Sequence, residues 1–230
     1  QEVLAARTNA GPNKGYIFSM ASTDSGFLQQ SCYGLKDFNS EKRAAMLVLI
    51  EYLCALEGPF WKRIRGAGLS YGYSIHQNIE EGLIYFALSQ SGSVVKAYNE
   101  AKQILGKYLS KQESFEEVVV EAARSSVISE VIAGEETIHM AASNRLTQTL
   151  RGCPEQANKI LLDRVSQVTI NDLYSILEEY LAKLFDISQG HLVIVTNPSK
   201  VNEIVQSLNE SEGITLEEVG DVEQFFYKNK

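Results

Sequence analysis

Apolar and polar positions alternate along two short runs near the start of the chain, Tyr16 to Ala21 and Phe27 to Leu35, and a period of two predicts strands. Between them, Ser22-Thr23-Asp24-Ser25-Gly26 has the composition of a turn, so the two runs are expected to pair as a hairpin. Asn39 or Ser40 then offers an N-cap for a helix from Glu41 to about Glu57. Its middle (Ala44 to Ile50) is apolar nearly all round, which predicts burial on more than one side. Gly58-Pro59 ends it. Two more strands are expected at Leu69 to Ile75 and Leu83 to Ser89, joined through Asn78-Ile79-Glu80-Glu81-Gly82.

From Ser93 to about Asp186 the period changes to that of a helix. Ser114-Phe115-Glu116-Glu117 reads as a capping box, with Phe115, Val118, Val119 and Ala122 as the apolar stripe behind it. A later helix opens at Thr169, with Ile170, Leu173, Leu177, Tyr180 and Leu184 as its stripe, widened by Ile176 and Leu181. Cys153-Pro154 marks a break between helices. The chain then returns to a strand from His191 to Thr196, whose continuous run Leu192 to Val195 suits a central, buried position. Asn197-Pro198 leads into a short helix to about Leu208, and Ile214 to Val219 predicts a last strand. The order is β-β-α-β-β, a helical block over 93–186, then β-α-β. That order reads as an α+β fold: a mixed, largely antiparallel sheet with helices packed on one face. Residues 1–14 have a loop composition and read as a linker, and 15–230 as a single domain.

Composition narrows the function more than the fold. At 230 residues and 44% hydrophobic, the chain can bury a substantial core. A net charge of -8 argues against a phosphate-binding surface and hence against a nucleic-acid partner. The most apolar run, Ala44 to Ile50, falls far short of the ~20 residues a membrane span requires. Cys32, Cys54 and Cys153 are too few and too scattered for a disulfide framework or a metal knuckle, and read as idle thiols in a reducing compartment. The chain begins at Gln1 with no signal-peptide pattern, which reads as a piece of something longer.

The usual catalytic motifs are missing. His76, His139 and His191 stand far apart, and neither HExxH nor HxxEH occurs. Gly72-Tyr73-Ser74-Ile75-His76 fails as a nucleophile elbow at its last position. Gly66-Ala67-Gly68-Leu69-Ser70-Tyr71-Gly72 fails as a nucleotide loop, because Tyr71 stands where a glycine is needed and a helix precedes the strand. Adjacent acids such as Glu80-Glu81 and Glu178-Glu179 point in different directions and read as solvated surface.

One segment stands apart. Gly58 to Gly72 holds the chain's single tryptophan, and three of its sixteen glycines fall within Gly66 to Gly72. Glycines at 66 and 68 permit a sharp turn from helix to strand. Arg65 places a rigid fork of donors at the start of that turn, suited to a carbonyl or carboxylate. Tyr71 and Tyr73 are expected on one face of the strand, with Ser70 and Gly72 on the other. On physics alone the plainer reading prevails, with Arg65 paired to a surface carboxylate and Tyr71 half-buried as packing.

Arg65 and Tyr71, six apart across a small-residue turn, resemble the Arg-x-x-Gly-Gly-x-Tyr-Gly pattern of presequence proteases, within the insulinase/pitrilysin family of zinc metallopeptidases. The preceding helix with Gly58-Pro59-Phe60-Trp61, and the order of elements over roughly 15–220, are similar to that family's C-terminal, non-catalytic domain. Leu69-Ser70 departs from the Gly-Ala usual before the tyrosine, which suits a divergent branch. The resemblance implies a domain that contacts substrate in a peptide-degrading zinc metalloendopeptidase and is inactive alone, with peptide as substrate. Zinc would be held by an N-terminal half carrying HxxEH, in the same chain or a partner subunit. It implies that Arg65 and Tyr71 bind the peptide backbone and assist its transition state, and that the setting is intracellular, cytoplasmic or mitochondrial. An alternative is a structural or assembly subunit, as in processing-peptidase partners and the core proteins of the bc1 complex.

Overall fold

The computed structural model describes residues 14–220. The linker expected at 1–14 therefore lies outside the described residues up to 13, while Lys14 already opens the first strand. Six strands form one mixed sheet: β1 (Lys14–Ser19), β2 (Gly26–Tyr33), β3 (Ser70–Asn78), β4 (Leu83–Ser91), β5 (Gly190–Thr196) and β6 (Thr215–Val219), in the order β3-β4-β2-β5-β1-β6. The pairings among β3, β4, β2 and β5 are antiparallel, and β1 runs parallel to both β5 and β6. The α+β reading holds, as does the order of elements.

The expected β1–β2 hairpin does not form. β5 lies between them, with Val193 opposite both Tyr16 and Gln29. A strand apolar on consecutive residues gains most where both of its faces and both of its edges are covered, and Leu192 and Ile194 are fully buried. The turn after β1 spans a gap of two strand spacings, about 10 Å, across the end of β5. There the Asn197 side-chain amide donates to the Thr23 carbonyl, and the Lys200 ammonium donates to that of Asp24.

Helices cover the sheet's inner face, onto which Leu28, Cys32, Ile84, Phe86, Leu88 and Ile194 project. Helix α1 (Lys42–Cys54) is shorter than expected at both ends, and Ala44, Ala45, Met46, Val48, Leu49, Tyr52 and Leu53 are all buried. Its breadth of burial matches its all-round apolar sequence. The helical block comprises α2 (Val94–Leu109), α3 (Glu117–Ala133), α4 (Ile138–Leu150), α5 (Ala157–Ser166) and α6 (Ile170–Ile176). α6 runs on through a π-turn (Leu177–Leu181) into a last turn (Ala182–Leu184). α7 (Val201–Glu212) follows a short 3₁₀ turn (Pro198–Lys200) and continues four residues past the expected end, to Gly213 with φ +66°. Thr169 caps α6 in a capping box closed by Asp172, and Leu173, Ile176, Leu177, Leu181 and Leu184 are buried as the stripe anticipates.

The α3 expectation needs correcting. Ser114 is not its cap: the helix begins after Glu116, which has no side-chain capping bond. Its buried stripe is Val120, Ala123 and Val127, and Val118 is 81% exposed. Three consecutive valines allow several helical registers. The one adopted lets Phe115, ahead of the helix, pack with Tyr52, Tyr108 and Tyr174.

Candidate functional site

After α1 the chain turns at Gly58 and winds from Pro59 into a π-helix, Trp61–Arg65. Phe60 and Ile64, one turn apart, are both fully buried, and the Phe60 ring meets the edges of Tyr73 and Phe86. Arg63 swings onto α2 and pairs with Glu100, with Glu113 at 3.8 Å. With positions 60, 63 and 64 committed inward, the wider turn leaves Arg65 on the outside. The Gly66 amide donates to Trp61 O at 2.7 Å, an i→i+5 bond of the π form, and the Gly68 and Leu69 amides then donate to Arg65 O and Ile64 O, both at 2.9 Å, as the Schellman pair that ends the helix. Isolated π-turns concentrate at functional sites, because they displace side chains from ordinary helical register.

Gly68 then reverses the chain at φ +70°, a conformation that disfavours any residue with a Cβ. β3 starts two residues later. The Ser70 hydroxyl donates to Gly72 O and Ser89 O, and the Ser91 hydroxyl to Leu69 O. Ser70 and Ser91 are buried and staple the mouth of the β3–β4 pair shut. Facing Tyr71 across that pair, in register between Ser70↔Ser91 and Gly72↔Ser89, Gln90 takes φ +49°. The β3–β4 register runs unbroken through it, while on its other edge β4 shifts register against β2 between Gly26↔Ser91 and Leu28↔Leu88; strain of this kind persists only where the surroundings enforce it.

Tyr71 and Tyr73 share the helix-side face of β3, as the alternation requires. Tyr73 is drawn inward, its hydroxyl donating to Cys54 O at 3.2 Å. Burial pushes that phenol up to about 12, Cys54 adding to the effect while the Arg65 charge opposes it. Tyr71 stays 63% exposed, and the Arg65 guanidinium sits over its ring, 4.6 Å from the centroid. Among the described residues Arg65 has no carboxylate within ion-pair distance. Neither bland explanation describes the pair among the described residues: no acid there reaches Arg65, and Tyr71 is exposed, with the Arg65 guanidinium on its ring. The stack holds the guanidinium in place while its N–H groups stay open to a ligand.

The chemistry of the corner is that of a donor site. A fork of N–H groups and a phenolic O–H can bind a carbonyl and stabilise negative charge on its oxygen. The interactions of Arg65 and Tyr71 bring in no carboxylate base, nucleophile or metal ligand. His76 stacks on Tyr85 further along β3, His139 lies on α4, and His191 lies on β5. Among the described residues no three His, Cys, Asp or Glu side chains are grouped to hold a metal, so zinc has no fitting ligand set here. Cys32 and Cys54 are pushed up to about 12, chiefly by burial, as befits inert thiols. Sequence reasoning singled out Arg65, Tyr71 and the glycines, and the structure brings Arg65 and Tyr71 into contact. It missed the Arg63 anchor, the serine staples and Gln90, for which a basic run and scattered serines are no signal.

No protein-family model matches the chain. It is 30% identical over 207 residues to the uncharacterized protein YOL098C of Saccharomyces cerevisiae, covering 89% of this chain and 20% of that protein. The chain thus spans about a fifth of the length of the curated relatives it matches. Among solved structures it is similar to the M16-like peptidase of Alicyclobacillus acidocaldarius (TM-score 0.66, 16% identity, 80% of this chain and 43% of that one). It is also similar to a peptidase M16 inactive domain of Pseudomonas fluorescens (TM-score 0.65, 12% identity, 81% and 43%). Pitrilysin aligns over 93% of this chain and 22% of its own, with a TM-score of 0.58 and 12% identity. The chain has the fold of the M16 peptidase domains, pitrilysin and inactive domains among them.

Proposed function

We propose that this chain is a non-catalytic, substrate-contacting domain of a zinc metalloendopeptidase, and that Arg65 and Tyr71 hold the backbone of a peptide at a zinc site supplied by another part of the parent protein. The observation that carries this reading is the Arg65–Tyr71 stack: exposed, free of any acid among the described residues, and fixed by a π-helix. A hydrogen-bond donor aimed at a developing oxyanion contributes about 2.7–4 kcal/mol to a reaction, and both residues supply such donors. The M16 fold and the chain's share of its relatives are in keeping with a parent that carries the metal elsewhere. The narrower presequence-protease reading rests on the Arg65-to-Tyr71 spacing, and an intracellular setting on the three thiols.

The test is a peptide-hydrolysis assay of the full-length parent, with and without a chelator, and with the 230-residue chain alone as control. Chelator-sensitive cleavage by the parent and none by the chain alone is the expected result. A parent with no zinc and no turnover would favour the structural-subunit alternative and overturn the enzymatic reading.

A further inference from the structure

A second site lies at the other end of β3. Where the Leu35–Phe38 segment enters α1, a cavity of about 390 Å³ opens between that segment, the β3–β4 turn and the end of α4. Two arginines line it. Arg151 stacks on the Phe38 ring at 4.5 Å and is held by Glu80, Nε to Oε1 at 2.8 Å. Arg43 approaches the same ring at 5.6 Å and donates to the Phe38 carbonyl at 3.3 Å. Unlike Arg151, Arg43 has no carboxylate partner among the described residues.

Three features leave Arg43 short of compensating charge. It is half-buried, so solvent shields it incompletely. It stands in the first turn of a thirteen-residue helix, where the helix dipole is positive; that turn holds no acid, and the carboxylate of the N-cap Glu41 is exposed and lies 4.0 Å from Arg164. Burial holds its guanidinium below the ordinary value, and neighbouring Arg151 pushes the same way, with Cys153 opposing. Two guanidiniums less one carboxylate leave a single positive charge, which matches a monoanion. The remaining lining includes Leu35, Met46, Leu47 and Ile79, so an apolar body can lie beside the charge.

We infer that this cavity is a binding site for a carboxylate carried on an apolar group, the carboxylate bridging Arg43 and Arg151 and the apolar group resting on Leu35, Met46 and Leu47. A planar carboxylate suits the guanidinium fork. A phosphate dianion would require more positive charge than the site retains. Two sources share this chemistry: the C-terminal residue of a peptide and a free small carboxylic acid. The inference does not depend on the reading of Arg65 and Tyr71.

Calorimetric titration of the protein with N-acetyl-leucine, N-acetyl-leucinamide, hexanoate and inorganic phosphate tests it. N-acetyl-leucine is expected to bind at least about tenfold more tightly than its amide, a difference of about 1.4 kcal/mol. Arg43→Gln and the more exposed Arg151→Gln should each reduce that affinity at least about threefold, with thermal unfolding showing that both are folded. Hexanoate binding as well as N-acetyl-leucine identifies a free acid as the ligand, and weaker hexanoate binding identifies a peptide terminus. Equal affinity for the amide, phosphate binding more tightly than either carboxylate, affinity unchanged in both variants, or no heat up to about 10 mM ligand would each overturn the assignment.

Discussion

The corner that carries Arg65 and the helix α4 are built on opposite terms. At the corner nearly every side chain that is not offered to solvent is spent on holding the backbone: Phe60 and Ile64 fill the core, Arg63 pairs with α2, and Ser70 and Ser91 staple the strand mouth. In α4 no residue is buried, and Ile138, Leu146 and Leu150 are 91%, 63% and 80% exposed. Polar bonds hold that helix instead, from Asn144 to Gly134 O, Gln148 to Asn158 and Arg145 to Pro154 O. The difference shows what an exposed side chain can mean. Arg65 and Tyr71 are exposed on an over-determined frame, as a pre-organised site requires, whereas the α4 leucines are exposed on a helix that depends little on them.

Truncation gives the largest contrast. Phe60→Ala should cost about 3–5 kcal/mol, read from urea unfolding, whereas Leu146→Ala should stay within about 0.5 kcal/mol of wild type. Equal losses would remove the distinction. Arg63→Gln comes next, at about 1–2 kcal/mol, between the surface and buried limits for an ion pair. It should also lower peptide turnover by the parent, although Arg63 faces α2 rather than the open side. Gly68→Ala forces a Cβ into a left-handed conformation and should cost about 1 kcal/mol, with no compensating contact because nothing lies within 4 Å of that Cβ.

The smallest effect is a pH dependence outside both regions. Burial holds His191 below its ordinary 6.5, so the unfolded chain takes up this proton first as pH falls. The sign follows: stability is full above pH 6.5 and declines below it, until the folded state also protonates. His191→Gln should flatten the urea midpoint between about pH 6.5 and 5. An unchanged slope would mean that His191 is not desolvated.

Much of this was legible in the sequence, for identifiable reasons. Strands and helices declared themselves by period, and the continuous run Leu192–Val195 marked β5 as central. What it could not show was that centrality displaces a hairpin: Ser22–Gly26 looks the same whether its strands pair or straddle a third. The α3 register was ambiguous because Val118, Val119 and Val120 are equally apolar, and Phe115 decided it through partners distant in sequence. At the candidate site, glycines and spacing exposed Arg65 and Tyr71. The π-turn that presents Arg65 depends on where Phe60, Arg63 and Ile64 find partners, which is tertiary information. The Arg43–Arg151 cavity joins residues 108 apart and gave no local signal.

The central claim is that the Arg65–Tyr71 pair serves a peptide and not the fold. Its most direct test is kcat/KM of the full-length parent carrying Arg65→Ala or Tyr71→Phe, with the unfolding midpoint measured alongside. The account predicts at least about a tenfold loss of kcat/KM, about 1.4 kcal/mol of transition-state stabilisation, with stability within about 0.5 kcal/mol of wild type. Wild-type turnover in both variants would contradict it.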